Sequence, residues 1–341
     1  MNVFLYVALL SCCIILTSCE VLTTLGVMTG ASVLGGYVYN KIQCKYFECC
    51  TDEYIKFDLE KLDKLMQNKL YGQHIAYKTI LNALHGYLNN KENKKALSLS
   101  FHGPQGTGKN YVTQFIAQSL YRKGTESKFF HFFNGREDFP LTNETENYKI
   151  ALQTKIKAAL KACPRSLFVF DEVDKMPEGI LNAIVHYLDY NTWPKDYVGN
   201  EAIFLFLSNT GSRQIVQRLL NLWESGVKRQ NTKLQDFENL ISIGAFNEKG
   251  GFHLSDTIET SVIDHYIPFL PLEEEDVKKC IRHAFKKRLT EETKVTEITP
   301  EMVEEALSHL TFDPPPHNLY SKSGCKRIEQ KVAIIMHPYK K

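Results

Sequence analysis

Residues 98–111 read S-L-S-F-H-G-P-Q-G-T-G-K-N-Y, and no other stretch restricts the fold of this chain so tightly. A short apolar alternation runs into G-x-x-x-x-G-K, from Gly103 to Lys109, and a helical pattern continues to Arg122. A loop of this spacing between strand and helix is a Walker A phosphate loop, which places the chain among α/β folds. Gly103, Gly106 and Gly108 let the backbone wrap so that its N–H groups face phosphate, with Pro104, Gln105 and Thr107 completing the loop. Lys109 supplies a point charge for the β- and γ-phosphates, and the helix it opens turns its positive end toward the anion. Asn110 stands where Ser or Thr usually holds magnesium. Its amide oxygen can ligate Mg²⁺ directly or through water, but it cannot act as a hydroxyl.

Downstream, S-L-F-V-F-D-E from Ser166 to Glu172 is an apolar run ending in two acids. Such a run suits a buried strand of a parallel sheet, and acids at its carboxyl end sit where ligands bind in open α/β sheets. This is a Walker B motif: Asp171 would hold Mg²⁺, usually through water, and Glu172 would polarise the attacking water. Acids after a strand also mark helix starts, a reading that the Walker A loop upstream outweighs. Glu201 to Leu207 is another apolar strand whose tip, Ser208-Asn209, puts Asn209 in the sensor 1 position beside the γ-phosphate.

Lys128 to Phe133 and Tyr266 to Leu270 complete a parallel five-stranded sheet flanked by helices, with helical patterns over Glu144–Ala162, Pro177–Tyr190 and Gly211–Glu224. Gln230 to His265 is less regular. From Leu272 onward the chain is helical and forms a small lid. Leu272 to Leu289 has acids in its first turn and Lys286, Lys287 and Arg288 in its last, the polarity of a helix dipole rather than of a nucleic-acid patch. Thr299-Pro300 starts a helix as N-cap and N1, and the last helix starts near Gly324-Cys325-Lys326, where Lys326 can reach the nucleotide as sensor 2. Upstream of the phosphate loop, Lys56 to Asn90 shows two helical patterns. They are joined by Leu70-Tyr71-Gly72-Gln73-His74, either an adenine cover or a helix–helix turn.

Residues 1–19 carry no charged side chain and end in small residues, which reads as a secretory signal peptide; the rival is an uncleaved anchor. Val21 to Asn40 is a second uncharged stretch, rich in glycine and threonine, and residues 20–43 read as a membrane-associated segment. It lies in or dips into the bilayer more readily than it spans it, and a flexible linker would be more polar. The nucleotide-binding α/β domain then covers 44–271 and the lid 272–341. A net charge of +2 over 341 residues leaves no footprint of a nucleic-acid partner. Cys44, Cys49, Cys50, Cys163, Cys280 and Cys325 follow the leader and are disulfide candidates in a secretory chain, with no ligand spacing for zinc. Asn143-Glu144-Thr145 is an N-glycosylation sequon.

The order of Walker A, Walker B, sensor 1, helical lid and sensor 2 is that of an AAA+ ATPase. G-P-Q-G-T-G-K-N, F-V-F-D-E-V-D-K-M, F-L-F-L-S-N, Y-I-P-F-L-P-L and S-K-S-G-C-K resemble the torsin family, AAA+ proteins of the endoplasmic reticulum lumen and perinuclear space, with Clp-type disaggregases as relatives. The resemblance implies ATP as nucleotide with Mg²⁺, homo- or hetero-oligomeric assembly, and a membrane-anchored activator whose lumenal domain supplies an arginine. It implies remodelling of membrane-associated protein complexes, and it matches Cys280 and Cys325 to a lid cysteine pair; two buried thiols are the alternative. Asn134 to Leu141 departs from the aromatic pore loop of Clp unfoldases, with only Phe139 aromatic, which argues against simple threading. An ATP-dependent binding switch, with hydrolysis incidental, is the competing function.

Overall fold

Five segments form one sheet whose inner strands are covered on both faces, the arrangement in which parallel strands bury continuous hydrophobic runs, while one edge strand leaves Phe132 exposed. The five are β1 (Leu97–His102), β2 (Phe130–Asn134), β3 (Leu167–Asp171), β4 (Ile203–Ser208) and β5 (His265–Pro268). All pair in parallel, in the order β2-β3-β4-β1-β5. This computed structural model describes residue 44 and residues 47–190, 199–289 and 297–337. Every residue of β1 and β4 is buried. The register sets Phe133, Phe170 and Phe206 abreast on β2, β3 and β4, with ring centroids 5.1 and 5.2 Å apart, and Phe168 beside Phe204 at 4.8 Å. Each such pair contributes about 0.5–1.5 kcal/mol beyond its buried area. Because β4 lies between β3 and β1, the turns after these strands open side by side at one edge of the sheet.

The helices around the sheet are α1 (Leu59–Lys69), α2 (His74–Asn89), α3 (Lys109–Leu120), α4 (Thr145–Ala162), α5 (Ser212–Glu224) and α6 (Glu238–Asn247). Asp58 caps α1 by accepting from the Lys61 N–H at 2.9 Å. Pro177 to Tyr190 does not form the continuous helix its pattern suggests. Gly179 takes a left-handed turn (φ 76°), and a 3-10 segment, Ile180–Ile184, precedes a single helical turn, Val185–Leu188. That winding buries Ile180, Leu181, Ala183 and Ile184 against α4 and the sheet core. The irregular stretch before β5 contains α6, which the sequence pattern does not reveal.

The C-terminal helices α7 (Glu274–Arg288), α8 (Pro300–Ser308) and α9 (Ile328–Met336) share a core of their own built on Val277, Ile281, Phe285, Val303 and Val332. Thr299 caps α8 and Pro300 opens it. A short ribbon, β6 (Phe312–Asp313) with β7 (Tyr320–Ser321), joins α8 to α9. α9 begins later than its sequence suggests. Gly324 has φ 52°, and the Cys325 N–H is donated to the Gly106 carbonyl at 2.9 Å, so Cys325 and Lys326 stay in the turn before the helix.

The chain divides into two units, Met1–Cys49 and Cys50–Lys341. Cys44 is bonded to Cys49 in the first. In the second, Cys50 is bonded to Cys163 and Cys280 to Cys325. The Cys50–Cys163 bridge spans 113 positions, a closure that the chain-entropy account values at about 4–5 kcal/mol. The signal peptide expected at 1–19 and the membrane segment expected at 20–43 lie outside the described residues. Among the described residues, no helix is long and apolar enough to cross a membrane.

Candidate nucleotide site

The turns after β1, β3 and β4, the α1–α2 turn, and helices α7 and α9 enclose a cavity of about 780 Å³. The phosphate loop forms its floor. Gly106 (φ 75°) is pressed against the Ser323 carbonyl, so a side chain there would collide with the lid turn as well as strain the backbone. Lys109 is 8 % exposed. Its Nζ donates to the carbonyls of Gly103 (2.5 Å) and Pro104 (3.0 Å) and to Asn209 Oδ1 (3.1 Å). Burial lowers its pKa to about 8, with Asp174 and Asp171 opposing the shift and Lys326 adding to it.

Asn110 Nδ2 donates to Asp171 Oδ2 at 2.8 Å. Burial pushes the Asp171 carboxyl up, against the hydrogen bonds from Asn110 and from the Glu172 N–H. A desolvated carboxylate beside an amide oxygen is a hard-oxygen donor pair of the kind Mg²⁺ takes, and a turn of the Asn110 amide would present that oxygen. Glu172 follows in a left-handed conformation (φ 52°), unusual for a residue with a side chain and concentrated at functional turns.

The expected residues Gln105, Gly106, Thr107, Gly108, Lys109, Asn110, Asp171, Glu172, Asn209 and Lys326 all line this one cavity, and so do Cys280 and Cys325. Gly103 and Pro104 lie behind it, facing Lys109 through their carbonyls. Asn143 lies elsewhere, exposed in the 3-10 turn Thr142–Glu144 ahead of α4. In the α1–α2 turn, Leu70 and Tyr71 line the cavity. Gln73 does not: it donates to the carbonyls of Thr107 (3.2 Å) and Leu270 (2.8 Å) and accepts from the Leu270 N–H (2.8 Å), tying the phosphate loop to the end of the sheet. The turn therefore both walls the cavity and braces the loop.

Three residues of the site escape the sequence reading. Arg136 Nε donates to Glu172 Oε2 at 2.5 Å. It is aimed there by a turn in which Asn134 Oδ1 accepts from the Arg136 N–H, and by Gly135, where a Cβ would strike the Glu172 carbonyl. Asp174 Oδ1 accepts from the backbone N–H (3.0 Å) and Nδ2 (3.2 Å) of Asn209. Burial would raise the Asp174 pKa, but the Asn209 hydrogen bonds and Lys175, 3.1 Å away, bring it below the usual carboxylate value. His102, fully buried at the end of β1, hydrogen-bonds Ser100 Oγ (2.6 Å) and the Thr210 carbonyl (3.1 Å); burial lowers its pKa to about 4, so it is neutral. The acid in D-E-V-D and Asn209 were each visible in the sequence, whereas their pairing was not.

The sequence profile named Torsin matches residues 44–170. The chain is 37% identical over 310 residues to a torsin-like protein of Drosophila melanogaster, covering 90% of each. It is 36% identical over 297 residues to a torsin-like protein of Caenorhabditis elegans, covering 87% of this chain and 83% of that one. It is 34% identical over 298 residues to Torsin-3A of Mus musculus, covering 86% and 76%. Among solved structures it resembles the S. cerevisiae Hsp104–ADP complex at TM-score 0.56 and 15% identity, over 81% of this chain and 46% of that one. A closed-state Hsp104 with ATPγS and FITC casein gives 0.54 at 15% identity, over 81% and 46%. The chain spans less than half the length of these Hsp104 chains, and at such identity the likeness is one of fold.

Proposed function

The chain belongs to the torsin family of AAA+ ATPases, and from that premise we propose that it is an activator-dependent ATP hydrolase. It would work in the endoplasmic reticulum lumen and nuclear envelope, converting ATP binding and hydrolysis into remodelling of membrane-associated protein complexes. The observation that carries the reading is the meeting of Lys109, Asn110, Asp171, Glu172 and Asn209 around one cavity. ATP would lay its phosphates along the loop, where Lys109 exchanges its carbonyl partners for phosphate oxygens. Asn110 and Asp171 would hold Mg²⁺, which when bound neutralises charge on the phosphates. Glu172 would orient a water for in-line attack, with Asn209 beside it.

The lid supplies the rest of the pocket. Leu70 and Tyr71 on one side and Leu272, Ala284 and Ile328 on the other offer apolar walls for a base. Lys326 is exposed on the turn whose Cys325 N–H is held by Gly106, so lid position and phosphate loop are mechanically joined. Disulfides at Cys50–Cys163 and Cys280–Cys325 suit an oxidising lumen. Homo- or hetero-oligomeric assembly and a partner-supplied arginine fit a site whose own arginines are engaged or distant. Membrane association would rest on residues 20–43.

A second reading, an ATP-dependent binding switch with incidental hydrolysis, draws support from the Arg136–Glu172 ion pair, which occupies the residue that hydrolysis needs. The deciding experiment measures ATP turnover by the purified chain with and without lumenal domains of candidate membrane proteins. Stimulated turnover supports the hydrolase. Tight ATP binding with no turnover under any condition, alongside ATP-dependent partner capture, would favour the switch.

A further inference from the structure

Asn209 is an amide with a donor end and an acceptor end, and the structure fixes which end faces the phosphates. Its Nδ2 is committed to Asp174 Oδ1 at 3.2 Å, and the same carboxylate oxygen holds the Asn209 backbone N–H at 3.0 Å. Its Oδ1 accepts from Lys109 Nζ at 3.1 Å. Turning the amide over would set oxygen against a carboxylate and NH₂ against an ammonium, so both neighbours enforce one orientation. Asp174 itself has little freedom. Its side chain is 9 % exposed and paired with Lys175, and Gly250, whose Cβ would contact the Asp174 backbone, lets the chain pack closely on that turn.

We propose that Asp174 is a positioning residue that sets the hydrogen-bond polarity of Asn209, so that Asn209 offers the attacking water an acceptor rather than the γ-phosphate a donor. The inference rests on the ATPase reading and specifies its chemistry. A water has two protons and one lone pair to aim at phosphorus. With the Glu172 carboxylate accepting one proton and Asn209 Oδ1 the other, the lone pair is directed by two acceptors at once. The water oxygen bonds to the γ-phosphorus as the bond to the β–γ bridging oxygen breaks, releasing ADP. One water proton passes to Glu172 and from it to the released phosphate; the other stays on the new P–O–H, facing Asn209. One Nδ2 hydrogen is held by Asp174, which turns the Oδ1 end of the amide, rather than its NH₂ end, toward Lys109 and the phosphate loop.

The test exchanges the pair. Asn209→Asp alone opposes two carboxylates and should slow single-turnover ATP hydrolysis by about a hundredfold or more. The double variant Asp174→Asn, Asn209→Asp again sets one side-chain donor against one acceptor, with the new amide oxygen left for the backbone N–H of residue 209 that Asp174 holds in the wild type, while still presenting oxygen to the site. It should recover to within about tenfold of wild type. ATP binding is read with a fluorescent ATP analogue, and the rates are compared at saturating ATP, because a carboxylate at 209 also faces Lys109. A double variant as slow as Asn209→Asp, with ATP still bound, would overturn the proposal, since Asn209 would then be needed as a donor. If thermal unfolding shows the double variant unfolded, alanines decide: Asp174→Ala with Asn209→Ala should be no slower than the slower single change, and losses that multiply would overturn it. Wild-type protein that binds no ATP would defeat the ATPase reading too, whereas failure of the exchange beside an active wild type defeats this assignment alone.

Discussion

Arg136 Nε lies 2.5 Å from Glu172 Oε2, so a guanidinium from the turn after β2 occupies the carboxylate we propose polarises water. The arginine side chain is 62 % exposed, and ion pairs of that kind are worth about 1 kcal/mol or less. The contact therefore competes with water without abolishing its access. Arg136→Ala should raise basal single-turnover hydrolysis by up to about fivefold, the rate equivalent of 1 kcal/mol. Glu172→Gln should keep ATP affinity and slow hydrolysis by about a hundredfold or more. Equal single-turnover rates for Glu172→Gln and wild type would remove Glu172 from its role.

Lys109 gives the site a pH signature. Burial depresses its pKa to about 8, so its charge is held well below that value and lost as pH rises through it. Bound phosphates favour the ammonium and raise the pKa again. Binding of Mg-ATP at about pH 9 should therefore take up close to one proton, and at about pH 7 almost none, with affinity falling as pH rises. Calorimetry in buffers of different ionisation heat reads the uptake directly. Equal proton uptake at the two values would show that Lys109 is already charged before nucleotide binds at alkaline pH.

The Cys280–Cys325 bridge joins α7 to the turn that carries Lys326, and both sulfurs border the cavity. Cys325 also donates its N–H to Gly106 in the phosphate loop. Reduction would free that turn from α7 and loosen Lys326 and the loop together. Nucleotide affinity should fall on reduction, and Cys280→Ser should mimic the reduced protein. Identical affinities in oxidised, reduced and Cys280→Ser forms would leave the bridge a purely structural element.

The phosphate loop and the Walker B acids were legible because their chemistry is local: spacing within a dozen residues fixes backbone geometry and strand end. The partners of those residues were not. Arg136 reaches Glu172, and Asp174 reaches Asn209, only because the strand order puts the turns after β2, β3 and β4 next to one another. No pattern within any single segment encodes that neighbourhood. α6 was hidden for a different reason. Its sequence, E-N-L-I-S-I-G-A-F-N, has no clean apolar face, with Leu240 and Ile243 exposed while Ile241, Gly244 and Ala245 are buried. Its Gly244 instead serves close packing on Gly211. The cysteine pairing among Cys44, Cys49, Cys50 and Cys163 likewise depends on tertiary placement and could not be read from spacing.

Asn143 is exposed in the short turn that leads into α4, a position an oligosaccharide can occupy without displacing packed side chains. Protein expressed through the secretory path should carry a glycan there. Glycosidase treatment should increase gel mobility, and Asn143→Gln should abolish the change. Native protein recovered from the cytosol would contradict a lumenal chain.

Hydrolysis by AAA+ sites draws on an arginine from a neighbouring subunit, worth about a thousandfold or more in rate. In Clp-type relatives that residue precedes the fifth strand, and the matching segment here, Ser255 to Tyr266, holds no arginine; none occurs between Arg229 and Arg282. The nearby candidates are committed elsewhere. Arg229 is largely buried, with its guanidinium on the Gly72 carbonyl (2.6 Å) and Glu273 (3.4 Å). Arg218 pairs with Asp236 at 3.5 Å, and Arg213 is exposed on the first turn of α5. A lysine lacks the planar fork that matches a transferring phosphoryl group. With Arg136 already paired to Glu172, the proposed source of the cation is another protein. Purified chain should hydrolyse ATP feebly, and a lumenal activator domain should raise the rate by about a hundredfold or more through one essential arginine. Arg213→Ala and Arg218→Ala should leave stimulated turnover near wild type. Brisk turnover by the chain alone, lost in either variant, would place the finger within this protein and remove the need for a partner.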